Sequence, residues 1–246
     1  MYNFFVTSDN KKDCRYFIIG DDFNHIKNVL RMGIGERFLV SCDGNSDLCE
    51  IESIQSDTIV AKIIEEKYQN TNLPIKIHLF QGLPKSDKLE LIIQKAVELG
   101  VYSVTPVAMK RSIVKIDEKK KKTKQDRWQA IAEAAAKQSK RTLIPKIHEV
   151  VSYKEMIAAA KDLDLLLVPY ECAEGMTTTK EVLKGIKSGM SVGIIIGPEG
   201  GFETQEIKLA QDVGGKIISL GSRILRTETA AITACAMCML YSEMEL

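Results

Sequence analysis

The residues best placed to do chemistry in this 246-residue chain crowd into two glycine-rich turns near its C-terminal end. The first reads Ile194-Ile195-Ile196-Gly197-Pro198-Glu199-Gly200-Gly201-Phe202. The second reads Ile217-Ile218-Ser219-Leu220-Gly221-Ser222-Arg223-Ile224-Leu225-Arg226-Thr227-Glu228. Glycine lets a backbone approach a ligand closely, and phosphate is the usual guest of a glycine-rich turn at a helix N-terminus. Neither G-x-G-x-x-G nor G-x-x-x-x-G-K-[ST] is present, and a carboxylate at Glu199 would repel a di- or triphosphate. A cofactor with a cationic or neutral reactive end fits better, and the sulfonium of S-adenosyl-L-methionine meets that requirement. For one turn alone, a plain strand–turn–helix corner explains the glycines; the pair argues for a pocket.

The elements that must hold these turns follow from patterning. Each turn ends a short apolar run without alternation, which predicts a strand covered on both faces, as in a parallel α/β sheet. Ligands of such sheets sit outside the carboxyl ends of the strands. From Ile75 onward, strand and helix patterns alternate: strands over 75–81, 101–107, 163–171 and 191–196, helices over 86–99, 126–141, 152–161 and 203–213, and a short helix or loop over 181–187. This alternation predicts an α/β domain. The last helix, from Glu228 to about Met244, is apolar almost all round, so it is expected to be buried on several sides, with a second subunit covering what one sheet face cannot. Residues 1–69 read differently. Short strands over 4–6, 16–19, 37–42, 48–54 and 58–64, the Asp43-Gly44 hairpin signal, and a helix over 22–31 stopped by Gly33 and Gly35 predict a small β-barrel. Gln69 to Pro74 is the linker, giving domains 1–72 and 73–246.

The pair Gly197-Pro198-Glu199-Gly200-Gly201 and Leu220-Gly221-x-Arg223-Ile224-Leu225-Arg226-Thr227-Glu228-Thr229-Ala230 resembles the SPOUT-class methyltransferases. More narrowly, it is similar to the family that methylates N3 of one uridine in 16S ribosomal RNA. Further segments extend the likeness over nearly the whole chain: His25-Ile26-Lys27-Asn28-Val29-Leu30-Arg31 with Gly33-x-Gly35, Gln94-Lys95, Glu98-Leu99-Gly100-Val101, Thr105-Pro106, and the helix ending in Gln138-Ser139-x-Arg141. The resemblance implies a PUA-like RNA-binding barrel followed by an α/β-knot domain with a C-terminal trefoil knot. It implies S-adenosyl-L-methionine as cofactor, 16S rRNA of the 30S subunit as partner, and a homodimer through the C-terminal helix. Asn3 stands where many members carry an arginine, and Glu203 stands where they carry a better helix N-cap.

On that resemblance, Leu167, Pro169, Gly197, Pro198, Gly200, Gly201, Leu220, Ser222, Ile224 and Leu225 are expected to cradle the cofactor. Glu199 and Thr227 orient the turn. Arg226 is the candidate catalytic group, stabilising a uracil anion or a phosphate; the alternative is a salt bridge to Glu228 or Glu199 that fixes the turn. Arg31, Lys85, Arg111, Gln138 and Arg141 are the expected RNA contacts, although a surface arginine at 31 and a solvated helix end at 138–141 are equally good readings. The implied chemistry needs N3 of uridine to lose its proton, with the charge passing to the flanking carbonyls.

Composition leaves this reading room. Net charge is +1, so bulk charge does not announce a nucleic-acid binder, and the run Lys119-Lys120-Lys121-Lys122 reads on its own as a solvated loop. No segment has the apolar length of a membrane span. The N-terminus lacks the features of a signal peptide, which makes the cytoplasm the expected compartment and reduced thiols the expected state of the 6 cysteines. Cys235-x-x-Cys238 has no second pair at zinc spacing, and His25, His78 and His148 form no metal set, so no metal is expected. The alternatives are a SPOUT-type enzyme acting on another nucleotide and a non-catalytic RNA-binding assembly factor. A nucleotide-dependent oxidoreductase is disfavoured by the missing phosphate fingerprint.

Overall fold

A computed structural model describes residues 1–171, 173 and 175–246. It comprises two compact units: Met1–Asn72 with Ala136–Leu143, and Leu73–Ala135 with Ile144–Leu246.

The first unit contains β1 (Asn3–Phe5), β2 (Lys11–Lys12), β3 (Arg15–Ile19), α1 (Gly20–Asn24), β4 (Arg37–Cys42), β5 (Asn45–Ile54) and β6 (Thr58–Gln69). They form a six-stranded sheet in the order β1-β4-β5-β6-β3-β2. Only β1 runs parallel to its neighbour. The core gathers Phe4, Tyr16, Ile18, Phe38, Ile51 and Ile59. Asp43 (φ 49°) and Gly44 (φ 83°) turn the β4–β5 hairpin with positive φ at both positions, which matches the right-handed twist of the strands. The helix expected over 22–31 is instead α1 followed by a π-helical stretch over His25–Val29. It ends before either glycine because Arg31 itself turns left-handed (φ 54°) and delivers Met32 to the core. Asn3 is buried: its amide donates to the Arg141 carbonyl at 3.0 Å and accepts from Ser41 Oγ at 2.8 Å. The residue that departs from the family pattern therefore fastens the β1 edge from within.

The second unit contains β7 (Lys76–Gly82), α2 (Lys88–Glu98), β8 (Ser103–Ala108), most of α3 (Glu118–Gln138), β9 (Lys146–Ile147), β10 (Val151–Ser152), α4 (Tyr153–Ala160), β11 (Leu165–Pro169), α5 (Thr177–Lys184), β12 (Ser191–Ile196), α6 (Thr204–Asp212), β13 (Lys216–Ile218) and α7 (Thr227–Glu245). The seven-stranded sheet runs β10-β8-β7-β12-β11-β13, with β9 beside β8, and every recorded pair is parallel. Val192 to Ile196 are all buried, as a strand covered on both faces requires. One cluster joins Phe80, Val107, Met156, Val168, Ile195 and Phe202.

One expectation needs correction. The lysine run is not a loop: it lies in the first turns of α3, where Asp117 Oδ1 accepts from Lys119 N at 3.2 Å. An acidic cap followed by good helix formers outweighs the mutual repulsion of the lysines. The last helix, α7, is covered within the chain on one face, through Thr227, Ala231, Ala234, Cys235, Cys238 and Ser242, against α2, β7 and β12, which leaves the surface that its all-round apolar pattern implied one sheet face could not cover. Leu240 remains 49% exposed and Met244 70%.

Candidate functional site

The carboxyl ends of the central strands come level because their registers align. Gln81 of β7 stands opposite Ile196 of β12, and Pro169 of β11 opposite Ile218 of β13. Both glycine-rich turns leave the sheet at this edge and enclose one cavity of about 670 Å³. The first turn contributes Gly197, Pro198, Glu199, Gly201 and Phe202, and the second contributes residues 219–227. Pro169, Tyr170 and Glu171 close the side, with Met176 and Lys88 on the rim. Leu167 and Gly200 do not line it. Leu167 is buried in the middle of β11, and Gly200 turns outward to Arg111.

The first turn is braced from every side. A Cβ on Gly82 would lie 2.7 Å from the backbone N of Pro198, so glycine lets β7 touch the turn. Gly201, at φ 69°, returns its N–H to the Pro198 carbonyl at 2.9 Å. Thr227, the first residue of α7, donates its hydroxyl to the Gly197 carbonyl at 2.6 Å and accepts from Gln81 Nε2 at 2.9 Å. Gln81 and Thr227 are both buried, where such bonds count most. Outside the turn, Arg111 donates Nε to Glu203 at 2.7 Å and Nη1 to the Gly200 carbonyl at 3.1 Å. Glu206 accepts from Glu203 N at 2.9 Å, which satisfies the N-cap donor of α6 despite the missing Ser cap, and from Lys110 N at 3.0 Å, which ties the segment after β8 to that helix.

Glu199 accepts from Lys85 N at 3.1 Å, and its carboxylate pairs with Lys88 Nζ at 3.1 Å. Lys88 also pairs with Glu228, at 3.2 Å. Burial pushes the Glu199 carboxyl up, but its own and Lys85's backbone N–H groups and the Lys88 ammonium outweigh this and hold it below its ordinary range. Lys88 thus takes both carboxylates that had been alternatives for Arg226. The Arg226 side chain is exposed on the cavity wall, and among the described residues it makes no ion pair.

Among the described residues the second turn is held at its two ends, at Thr227 as above and at its root. Ser219 N donates to Thr179 Oγ1 at 3.0 Å, and the Thr179 hydroxyl donates back to the Ser219 carbonyl at 3.0 Å. Gly221 then takes φ 111°. Beyond it Ser222, Arg223 and Ile224 are exposed, Ile224 to 84%. Tyr170 and Phe202 meet edge to face at 6.2 Å on the opposite wall.

The remaining sequence candidates are dispersed. Arg31, Lys85 and Gln138 are exposed. Arg111 is exposed, but its guanidinium is engaged with Glu203 and Gly200. Arg141 is only 4% exposed, and burial pulls its pKa down to about 10. Sequence reasoning missed Lys88, Tyr170, Phe202 and Thr179. Only Phe202 carried a signal, standing directly after the glycines. Among the described residues no group of His, Cys, Asp and Glu stands together as metal ligands do, and Cys235 and Cys238 are buried thiols with raised pKa. Among the described residues no helix is long and apolar enough to cross a membrane.

Comparison with known proteins agrees with this architecture. Residues 71–239 match the model of an RNA methyltransferase domain and residues 18–64 that of an RNA methyltransferase PUA domain. The chain is 39% identical to ribosomal RNA small subunit methyltransferase E of Bacillus subtilis, over 89% of this chain and 87% of that protein. It is 35% identical to the protein of the same name from Mesomycoplasma hyopneumoniae, over 97% and 99%. The crystal structure of a ribosomal RNA small subunit methyltransferase E from Neisseria gonorrhoeae bound to S-adenosyl methionine superposes with a TM-score of 0.79 at 26% identity, covering 98% of this chain and 97% of that one. A parallel α/β domain with its cavity at the strand ends, a PUA domain ahead of it and relatives matched over nearly their full length together place the chain in the ribosomal RNA small subunit methyltransferase E family of RNA methyltransferases.

Proposed function

We propose that this protein transfers the methyl group of S-adenosyl-L-methionine to N3 of one uridine in 16S ribosomal RNA of the small ribosomal subunit. The observation that carries the proposal is the single cavity walled by both glycine-rich turns at the carboxyl edge of the sheet. Its volume suits a nucleoside-sized ligand. Its residues suit the cofactor as well: Gly201 and Gly221 line it at positive φ, so backbone rather than side chain faces the ligand. Two carboxylates, Glu171 and Glu199, stand on the wall where a phosphate-bearing cofactor would be repelled and a sulfonium attracted.

When bound, S-adenosyl-L-methionine supplies an electrophilic methyl group. The chain supplies position and charge. The backbone of residues 197–199, 201 and 219–225 holds the ligand, and the Tyr170–Phe202 wall excludes water from one side. N3 of uridine must lose its proton, and negative charge then grows on the flanking carbonyl oxygens. In this reading the Arg226 guanidinium, exposed on the cavity wall and without an ion pair among the described residues, meets that charge. Arg31 and Gln138, exposed in the first unit, serve as RNA contacts in the same reading.

The half-covered α7 supports a homodimer, in which a second copy covers Leu240 and Met244; sedimentation would show a dimeric mass. The trefoil knot and a cytoplasmic location complete the proposal. The deciding test is incubation of the protein with small subunits lacking the modification and labelled S-adenosyl-L-methionine, followed by nucleoside mass spectrometry. N3-methyluridine from 16S rRNA is expected; label on another base or on none overturns the proposal.

A further inference from the structure

We propose that Lys88 is a positioning residue for methyl transfer: its ammonium ties the first glycine-rich turn to the start of α7 and so fixes where Arg226 stands. The inference rests on the methyl-transfer reading above. Three elements meet at this one group. Lys88 opens α2, Glu199 sits at the centre of the first turn, and Glu228 lies in the first turn of α7, two residues beyond Arg226. The distances are 3.1 Å to Glu199 and 3.2 Å to Glu228.

The placement is not one that α2 itself favours. A cation at a helix N-terminus opposes the helix dipole, so the partners, not the helix, account for a lysine there. Those partners are partly withdrawn from water, with side-chain exposures of 28% for Glu199 and 15% for Glu228. Without the ammonium, two carboxylates that now share one partner would repel each other across the gap between turn and helix. The turn would move away from α7, and the N-cap residue of α7, Arg226, would lose its place on the cavity wall. The buried Gln81–Thr227–Gly197 chain holds the same two elements underneath, so the change concerns alignment more than folding.

The groups facing Glu199 are Lys88 from α2, the Lys85 backbone N–H and Glu228 from α7. Glu171, Arg223 and Arg226 share the cavity. A carboxylate held below its ordinary pKa is ionised above that pKa and loses its charge as pH falls through it. Removing Lys88 removes one of the influences that hold it down, so Glu199 protonates at higher pH.

The test compares Lys88→Met, Lys88→Arg and wild type, as full chains. It measures calorimetric binding of S-adenosyl-L-methionine and turnover on small subunits from about pH 3 to about pH 9, a range that spans the acid limb of a carboxylate held below its ordinary pKa. Lys88→Met is expected to lower kcat roughly 10- to 100-fold and to move the acid limb of the profile to higher pH. Lys88→Arg is expected to restore both. Should Lys88→Met fail to fold, Glu228→Gln decides. It unties α7 while leaving the Lys88–Glu199 pair, and it should lower kcat several-fold with the acid limb in place; wild-type kcat in that variant overturns the proposal. An inert wild type overturns the methyl-transfer reading and this one with it. An active wild type matched by an equally active Lys88→Met with the same acid limb overturns this one alone.

Discussion

The two glycine-rich turns share a sheet edge and a cavity but are built on opposite terms. The first is bonded on every side: Thr227 to its Gly197 carbonyl, Arg111 to its Gly200 carbonyl, Lys88 and the Lys85 N–H to its Glu199 carboxylate, and β7 against Pro198 through Gly82. The second is fastened at its two ends, by the Thr179–Ser219 pair where it leaves β13 and by Thr227 where it enters α7, and among the described residues its middle, 222–224, has no such brace. Past Gly221 it carries its side chains into solvent. A turn that must hold a donor group in line needs preorganisation, because misplacement is costly in rate. A turn that must admit and release a large substrate gains from few internal bonds. The difference assigns cofactor placement chiefly to the first turn and substrate engagement chiefly to the second, with Arg226 and Thr227 at the junction.

The largest effect should fall at that junction. Arg226→Ala removes an exposed cation that makes no ion pair among the described residues, so the fold has little to lose. If the second turn serves the substrate, turnover should drop about 100-fold, with far smaller change in S-adenosyl-L-methionine affinity. Single-turnover kinetics beside calorimetry would show it, and equal activity would discard the role. Next comes Gly82→Ala. Its Cβ would press on the backbone of Pro198 at 2.7 Å, and overpacking of this kind costs about 1–3 kcal/mol. Cofactor affinity should fall with it, since the strain is delivered straight into the braced turn. Thr227→Val keeps the side chain's shape but leaves the Gly197 carbonyl and Gln81 Nε2 without their buried partner. The expected loss is again about 1–3 kcal/mol in denaturant unfolding, with kcat reduced because α7 and the turn lose a shared bond.

The contrast between the turns also marks what the sequence could say. Strands β4 and β12 occupy the spans their patterns predict, 37–42 and 191–196, because β-branched and apolar runs bounded by glycine or charge leave little choice. That both turns would face one pocket followed from their both ending such strands. The braces did not follow. Lys88, Arg111 and Thr179 belong to segments remote in sequence from the turns they hold, and an ordinary lysine in a helix start carries no mark of its partners. Local exceptions were equally hidden. Arg31 takes a left-handed φ that glycine would more readily supply, and Asp117 turns a lysine run into helix by capping it. Apolar residues all round α7 announced more surface to cover than the chain itself covers.

Ile224 gives the mildest test and the sharpest one for the comparison. It is 84% exposed, an apolar side chain standing in water on the cavity rim. Replacement by serine removes nothing from the core, so unfolding free energy should stay within about 0.5 kcal/mol of wild type. If the second turn is an adaptable wall, Ile224→Ser should raise the KM for the RNA substrate or the cofactor a few-fold while leaving kcat near wild type. That is the pattern of lost uniform binding rather than lost transition-state contact. A fall in stability comparable to that of Thr227→Val would mean that the turn is packed as tightly as its partner, and the division of labour between the two would dissolve.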